Sequence, residues 1–197
     1  MEIKQLTNEE FKTFTKSFNY SSVFQTTNYA FTMNEEGFDS IFLGLLEGKK
    51  IVAVSLIMIR KINGFKYAYA PRGYLIDYNN LDLVTEFTNQ IKKYLGKKDI
   101  VAIKISPLLI KNIYNSENKV VGQNMSYDMI FNHLKKLKYY HLGYNNNFEA
   151  LKPRFEAAIN LNLPYTHLFA NIKKILELKL EKLNVMELKF IMEMNLI

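Results

Sequence analysis

A mixed α/β domain, built on a mostly antiparallel sheet flanked by helices, is predicted by three observations. The apolar, β-branched run Ile51 to Lys61 is followed by Asn63-Gly64 and then by a second apolar and aromatic run, Phe65 to Ala70. Asn-Gly between two such runs is the signature of a two-residue hairpin turn. Leu81, Val84, Phe87, Thr88, Ile91 and Leu95 recur at helical spacing, which places one apolar stripe on a helix. Ile100 to Ser106 then returns to a short buried-strand pattern stopped by Pro107, so helix and strand alternate after the hairpin.

The elements follow in order. Asn8 to Phe18 reads as a first helix, capped by Thr7 or Asn8, with Phe11, Phe14 and Phe18 at helical spacing. Ser21 to Phe24 is a turn or a short extended piece. Thr26 to Met33 is a second, short helix ending near Gly37. Ser40 to Glu47 is an apolar strand, and Gly48-Lys49-Lys50 turns it into the central strand Ile51 to Lys61. After the hairpin and the Leu81 to Leu95 helix, Ser116 to Tyr127 is polar and reads as loop. Tyr127 to Leu137 is a helix, and Pro153 to Leu161 a further strand. Beyond Thr166, apolar and charged residues mix at both helical and strand spacing.

The chain has 197 residues, 48% of them hydrophobic and 14% aromatic, enough for one full domain and its core. No run reaches the ~18 apolar residues of a membrane span. The Met-Glu-Ile-Lys-Gln-Leu start lacks the basic-then-apolar order of a signal peptide. Cysteine is absent, so disulfides and thiolate metal sites are excluded. His133, His141 and His167 lie at no ligand spacing, and no metal site is expected. The net charge of +7 favours an anionic partner, such as RNA, a nucleotide diphosphate or acidic lipid headgroups. The lysines of Ile91 to Lys98 and of His133 to Lys138 read as solvated helix faces in preference to a nucleic-acid site.

The stretch that packing does not account for is Tyr69 to Tyr78, Y-A-P-R-G-Y-L-I-D-Y. Pro71 breaks the strand. Arg72 offers a planar fork for carboxylate or phosphate. Gly73 permits a positive φ or a close approach by a ligand. Asp77 is a candidate base or charge partner. The plainer alternative is a strand-to-loop corner closed by an Arg72–Asp77 ion pair.

A strand closing in Tyr-x-Pro-Arg-Gly and followed shortly by Asp resembles the first domain of the FemABX peptidyltransferases. Tyr69, Pro71, Arg72, Gly73 and Asp77 carry the likeness, and Tyr74 stands where the family has a second proline. Upstream, F-Q-T-T-N-Y-A-F (Phe24 to Phe31) is similar to the family's first-helix motif, with Tyr29 where Trp is usual. Downstream, Leu151 to Leu161 is similar to a family strand, with Asn160 in place of Asp. The resemblance covers roughly residues 1 to 170.

That resemblance implies a GNAT-like fold (the acyl-CoA N-acyltransferase fold) over residues 1–165, a fold the family carries twice in tandem. Residues 166–197 would begin a second domain that the chain lacks, and the chain alone is expected to be inactive. The implied reaction builds the peptidoglycan interpeptide bridge, moving an amino acid from aminoacyl-tRNA to the stem-peptide amine of lipid II or a UDP-linked muropeptide. The implied catalytic residue is Asp77, and the implied substrate-binding residues are Tyr69, Arg72 and Gly73. No cofactor is implied, and the implied location is cytoplasmic, in peripheral contact with the inner face of the membrane. Two other readings stay open. One is a non-catalytic domain that binds a muropeptide or a protein partner. The other is an acetyl-CoA-dependent N-acetyltransferase, which needs a glycine-rich turn leading into a helix; the eight glycines here are isolated.

Overall fold

The computed structural model describes residues 1–19, 22–115, 117–143 and 162–170. The chain divides into two compact units, Met1–His141 and Leu142–Ile197. In the second, residues 165–170 are helical, and the Tyr165 and Phe169 rings stack at 5.9 Å. The strand expected over Pro153 to Leu161 and the segment after Ala170 lie outside the described residues.

The first unit is built on a five-stranded sheet, β1 (Glu2–Gln5), β2 (Asp39–Glu47), β3 (Lys50–Ile62), β4 (Phe65–Pro71) and β5 (Ile100–Ser106), in that spatial order. The first three pairings are antiparallel and β4–β5 is parallel. The hairpin expected at Asn63-Gly64 is present. Both residues take positive φ, +50° and +87°, between the paired Ile62 and Phe65, as a tight two-residue turn matched to strand twist requires. A parallel partner cannot follow from a hairpin and needs a crossover. Helix α3 (Leu81–Gly96) supplies it.

Helices cover both faces. Alternation along β3 sends Ala53 and Ile57 to one face and Val54, Leu56 and Met58 to the other. The first face packs against Val84, Phe87, Ile91 and Leu95 of α3 and against Ile130 and Leu134 of α4 (Tyr127–Lys136). The second packs against Phe11 of α1 (Asn8–Ser17) and Ala30 of α2 (Thr27–Glu35). Phe11 and Phe42 stack across that layer at 4.4 Å. Tyr29 packs half-buried against the same layer.

Two elements depart from expectation. β1 is a four-residue edge strand whose mostly exposed E-I-K-Q pattern gives no apolar alternation to read. The segment expected as loop holds half of a small hairpin, β6 (Asn112–Tyr114) with β7 (Val120–Gln123), separate from the main sheet. Its strands are too short for periodicity to register.

Candidate functional site

The site begins where β4 leaves β3. Their pairing ends at Met58 and Tyr69, because Pro71 cannot donate to a ladder. The vacated edge of β3 must then be satisfied by something else. Gln25 takes the first position. It follows Val23 and Phe24 in a single 3-10 turn (Val23–Gln25), and its side chain is fully buried. Its Oε1 accepts from Leu56 N at 2.8 Å, and its Nε2 donates to Leu56 O at 3.3 Å and to Pro71 O at 2.6 Å. The carboxamide therefore stands in for a strand. Leu75 takes the second position, two residues along β3, exchanging both backbone bonds with Val54 at 3.0 and 3.1 Å.

The Arg72–Tyr78 turn starts at the first pin and runs through the second. Arg72 itself takes the left-handed conformation, φ +50°, which is uncommon for a residue with a Cβ. Its N–H donates to Ser106 Oγ at 3.0 Å, and Ser106 Oγ also lies 3.2 Å from Tyr69 Oη. Gly73 is required for space and not for φ. A Cβ there would come within 2.9 Å of both Gln25 Nε2 and Ser55 Oγ. The close approach by a ligand expected at Gly73 is instead an approach by the protein's own Gln25 and Ser55, and the positive φ belongs to its neighbour Arg72. Tyr74, Leu75, Ile76 and Tyr78 are buried. Tyr74 N–H donates to Tyr78 Oη at 2.8 Å, Tyr74 Oη meets Tyr139 Oη at 2.8 Å, and the Tyr74 ring sits edge-on to Phe87 at 4.9 Å. Burial pushes the Tyr74 and Tyr78 phenols well above their ordinary range, so both stay neutral.

Asp77 alone among residues 74–78 is exposed. Its Oδ1 accepts from Asn79 N at 2.9 Å and Asn79 Nδ2 at 3.3 Å. That leaves Oδ2 available as an acceptor. Among the described residues, Arg72 and Asp77 form no ion pair with one another. The plain corner closed by an Arg72–Asp77 bridge is not what the structure contains.

Arg72 and Asp77 instead line one cavity of about 750 Å³. It opens beyond the carboxyl ends of the parallel strands β4 and β5, where α/β sheets place ligands because their connecting loops diverge there. Asn19, Asn79, Gln123 and Asn124 add amides to its wall, and Leu108, Leu109, Ile110 and Ile113 face them with aliphatic surface. Gly122 and Gln123 of β7 and Ile113 of β6 belong to that wall, so the unforeseen small hairpin borders the site. Tyr69 and Gly73 do not line the cavity. One supports the turn through Ser106, the other through close packing. Among the described residues no group of three or more potential metal ligands exists.

The sequence profile of the FemAB family matches residues 6–176. The chain belongs to the FemAB family. It is 34% identical over 165 residues to the aminoacyltransferase FemA of Staphylococcus epidermidis, a match covering 82% of this chain and 39% of that relative. It is 31% identical over 164 residues to aminoacyltransferase FemA of Staphylococcus aureus (strain bovine RF122 / ET3-1), with the same two shares. The chain thus spans about two fifths of the length of these curated relatives. The crystal structure of FemX superposes with a TM-score of 0.61 at 22% identity, over 78% of this chain and 36% of that one. At that identity the likeness is one of fold. The mixed α/β class with a mostly antiparallel sheet flanked by helices, expected from the sequence, holds, as does the family that the Tyr69–Asp77 motif suggested.

Ser106 and Tyr139 escaped the sequence reading. They lie 34 and 65 residues from their partners Arg72 and Tyr74, and nothing in a lone Ser at a strand end or a Tyr after a helix marks such a contact. Gln25 was visible within its motif, but its place on the edge of β3 was not.

Proposed function

We propose that this FemAB chain forms the acceptor site of an aminoacyltransferase that builds the peptidoglycan interpeptide bridge. An amino acid is transferred from aminoacyl-tRNA to the stem-peptide amine of lipid II or a UDP-linked muropeptide, in the cytoplasm. The observation that carries the reading is the cavity pairing Arg72 and Asp77 with an aliphatic wall, in a chain of this family. A muropeptide offers what such a cavity takes: anionic groups, amides and an aliphatic amine-bearing side chain.

The chemistry assigns each group a task. The acceptor amine has a solution pKa of about 10.4 and must lose a proton before it attacks. Asp77, with Oδ2 available, holds the ammonium and takes that proton. The neutral nitrogen then attacks the ester carbonyl. A C–N bond forms, the C–O bond to the tRNA ribose breaks, and the nitrogen's remaining surplus proton passes to the ribose oxygen, which leaves as a hydroxyl. Arg72 binds a carboxylate or phosphate of the acceptor through its guanidinium. Tyr69 and Gly73 serve the substrate indirectly, by fixing the turn. Residues 1–165 act as the first GNAT-like domain of this enzyme, and residues 166–197 lead on from it.

The test is Asp77→Asn in the complete two-domain enzyme, assayed with charged tRNA and a lipid-linked or UDP-linked muropeptide. The amide keeps the bonds to Asn79 but cannot take a proton. Turnover should fall by on the order of 10²–10⁴ with an unchanged denaturation midpoint. A variant that unfolds while its remaining folded fraction turns over normally would make Asp77 a structural residue.

A further inference from the structure

The Arg72–Tyr78 turn is held by two hydroxyl groups from distant parts of the chain. We propose that Ser106 and Tyr139 are positioning residues that lock this turn, so that Arg72 and Asp77 face the cavity in a single arrangement. The proposal rests on the acceptor-site reading above and adds to it the residues that set the site's geometry.

Ser106 works at the Arg72 end. A non-glycine residue at φ +50° is uncommon and persists only where its surroundings impose it. The bond from Arg72 N–H to Ser106 Oγ, 3.0 Å, is such a constraint. It comes from the last residue of β5, which pairs with Pro71 at the end of β4. The same Oγ lies 3.2 Å from Tyr69 Oη, so one hydroxyl fixes the strand end and the first residue of the turn together. A serine suits this place because a hydroxyl can accept from one group and donate to another.

Tyr139 works from the opposite side. It lies just beyond α4 and brings its hydroxyl to 2.8 Å from the buried Tyr74 Oη. Without Tyr139 that Oη would be a buried hydroxyl lacking this partner, a costly arrangement. Tyr74 fixed in this way holds its own N–H on Tyr78 Oη at 2.8 Å, which closes the turn over Asp77.

The test compares Ser106→Ala, Ser106→Thr and Tyr139→Phe with the unchanged 197-residue chain by two measurements. The first is amide hydrogen exchange at Asn79, whose N–H bonds to Asp77 Oδ1 and touches neither substituted residue. Ser106→Ala and Tyr139→Phe should each speed it by about tenfold, the effect of losing roughly one hydrogen bond's net contribution. Exchange at Ile91 within α3 should be unchanged, and Ser106→Thr, which keeps the hydroxyl, should restore protection. The second is the affinity for a UDP-linked muropeptide, expected to fall about tenfold in the same two variants and to recover in Ser106→Thr. Unchanged Asn79 exchange in both variants, or equal loss in Ser106→Thr and Ser106→Ala, would overturn the proposal. Altered exchange in a chain that binds no muropeptide in any version would keep the positioning assignment and sink the acceptor-site reading.

Discussion

Gln25 shows how one side chain can decide a backbone path. Its carboxamide satisfies Leu56 N, Leu56 O and Pro71 O at once, and these groups lie where β4 has left β3. Replacing it by Ala strands buried backbone groups, each costing about 1–3 kcal/mol. Gln25→Ala should therefore lower stability by about 3 kcal/mol, read from the shift of the urea midpoint. A loss under ~1 kcal/mol would mean that water or a shifted Leu75 takes over the edge. Gly73 belongs to the same cluster, since any Cβ there meets the Gln25 amide. The Arg-Gly motif was legible as a corner in the sequence. What the Gly faces was not, because Gln25 and Ser55 approach it from far along the chain.

At the scale of the element, the start of α1 carries a pH dependence that can be measured. Thr7 and Glu10 form a reciprocal capping box, with Thr7 Oγ1 accepting from Glu10 N and Glu10 Oε2 accepting from Thr7 N. Lys4 Nζ adds a contact of 2.7 Å to Glu10 Oε1. The Lys4 bond first, then the Thr7 N–H, hold the Glu10 carboxyl down at about 2, below its ordinary 4.5. A carboxyl lowered on folding contributes stability above its unfolded pKa and loses it as the pH falls through the folded one. Glu10→Gln should be less stable than the unchanged chain near pH 7, and the gap should close between about pH 4.5 and 2. Urea midpoints at low ionic strength across that range check it; a gap independent of pH would remove the ionised carboxylate as its cause. Elements with a long apolar stripe or a turn signature, such as α3 and the β3–β4 hairpin, were legible in the sequence. β1 and the β6–β7 hairpin were not, since strands of three or four mostly exposed residues carry no period. The hairpin matters most, because Ile113, Gly122 and Gln123 form part of the cavity wall.

For the whole molecule, fold and site share one cause. The crossover through α3 makes β5 parallel to β4, and the diverging loops at their carboxyl ends leave the cavity that Arg72 and Asp77 enter. The motif told of the family and of these two residues. The cavity depended on loops whose meeting no local pattern records. The most direct test is calorimetric titration of the 197-residue chain with a UDP-linked muropeptide, in the unchanged form and with Arg72→Ala. Losing a charge-assisted contact to the ligand costs on the order of 1.5–3 kcal/mol, so the unchanged chain should bind and Arg72→Ala should bind at least about tenfold more weakly. No binding by the unchanged chain, or equal binding by the two, would contradict the assignment of this cavity as the acceptor site.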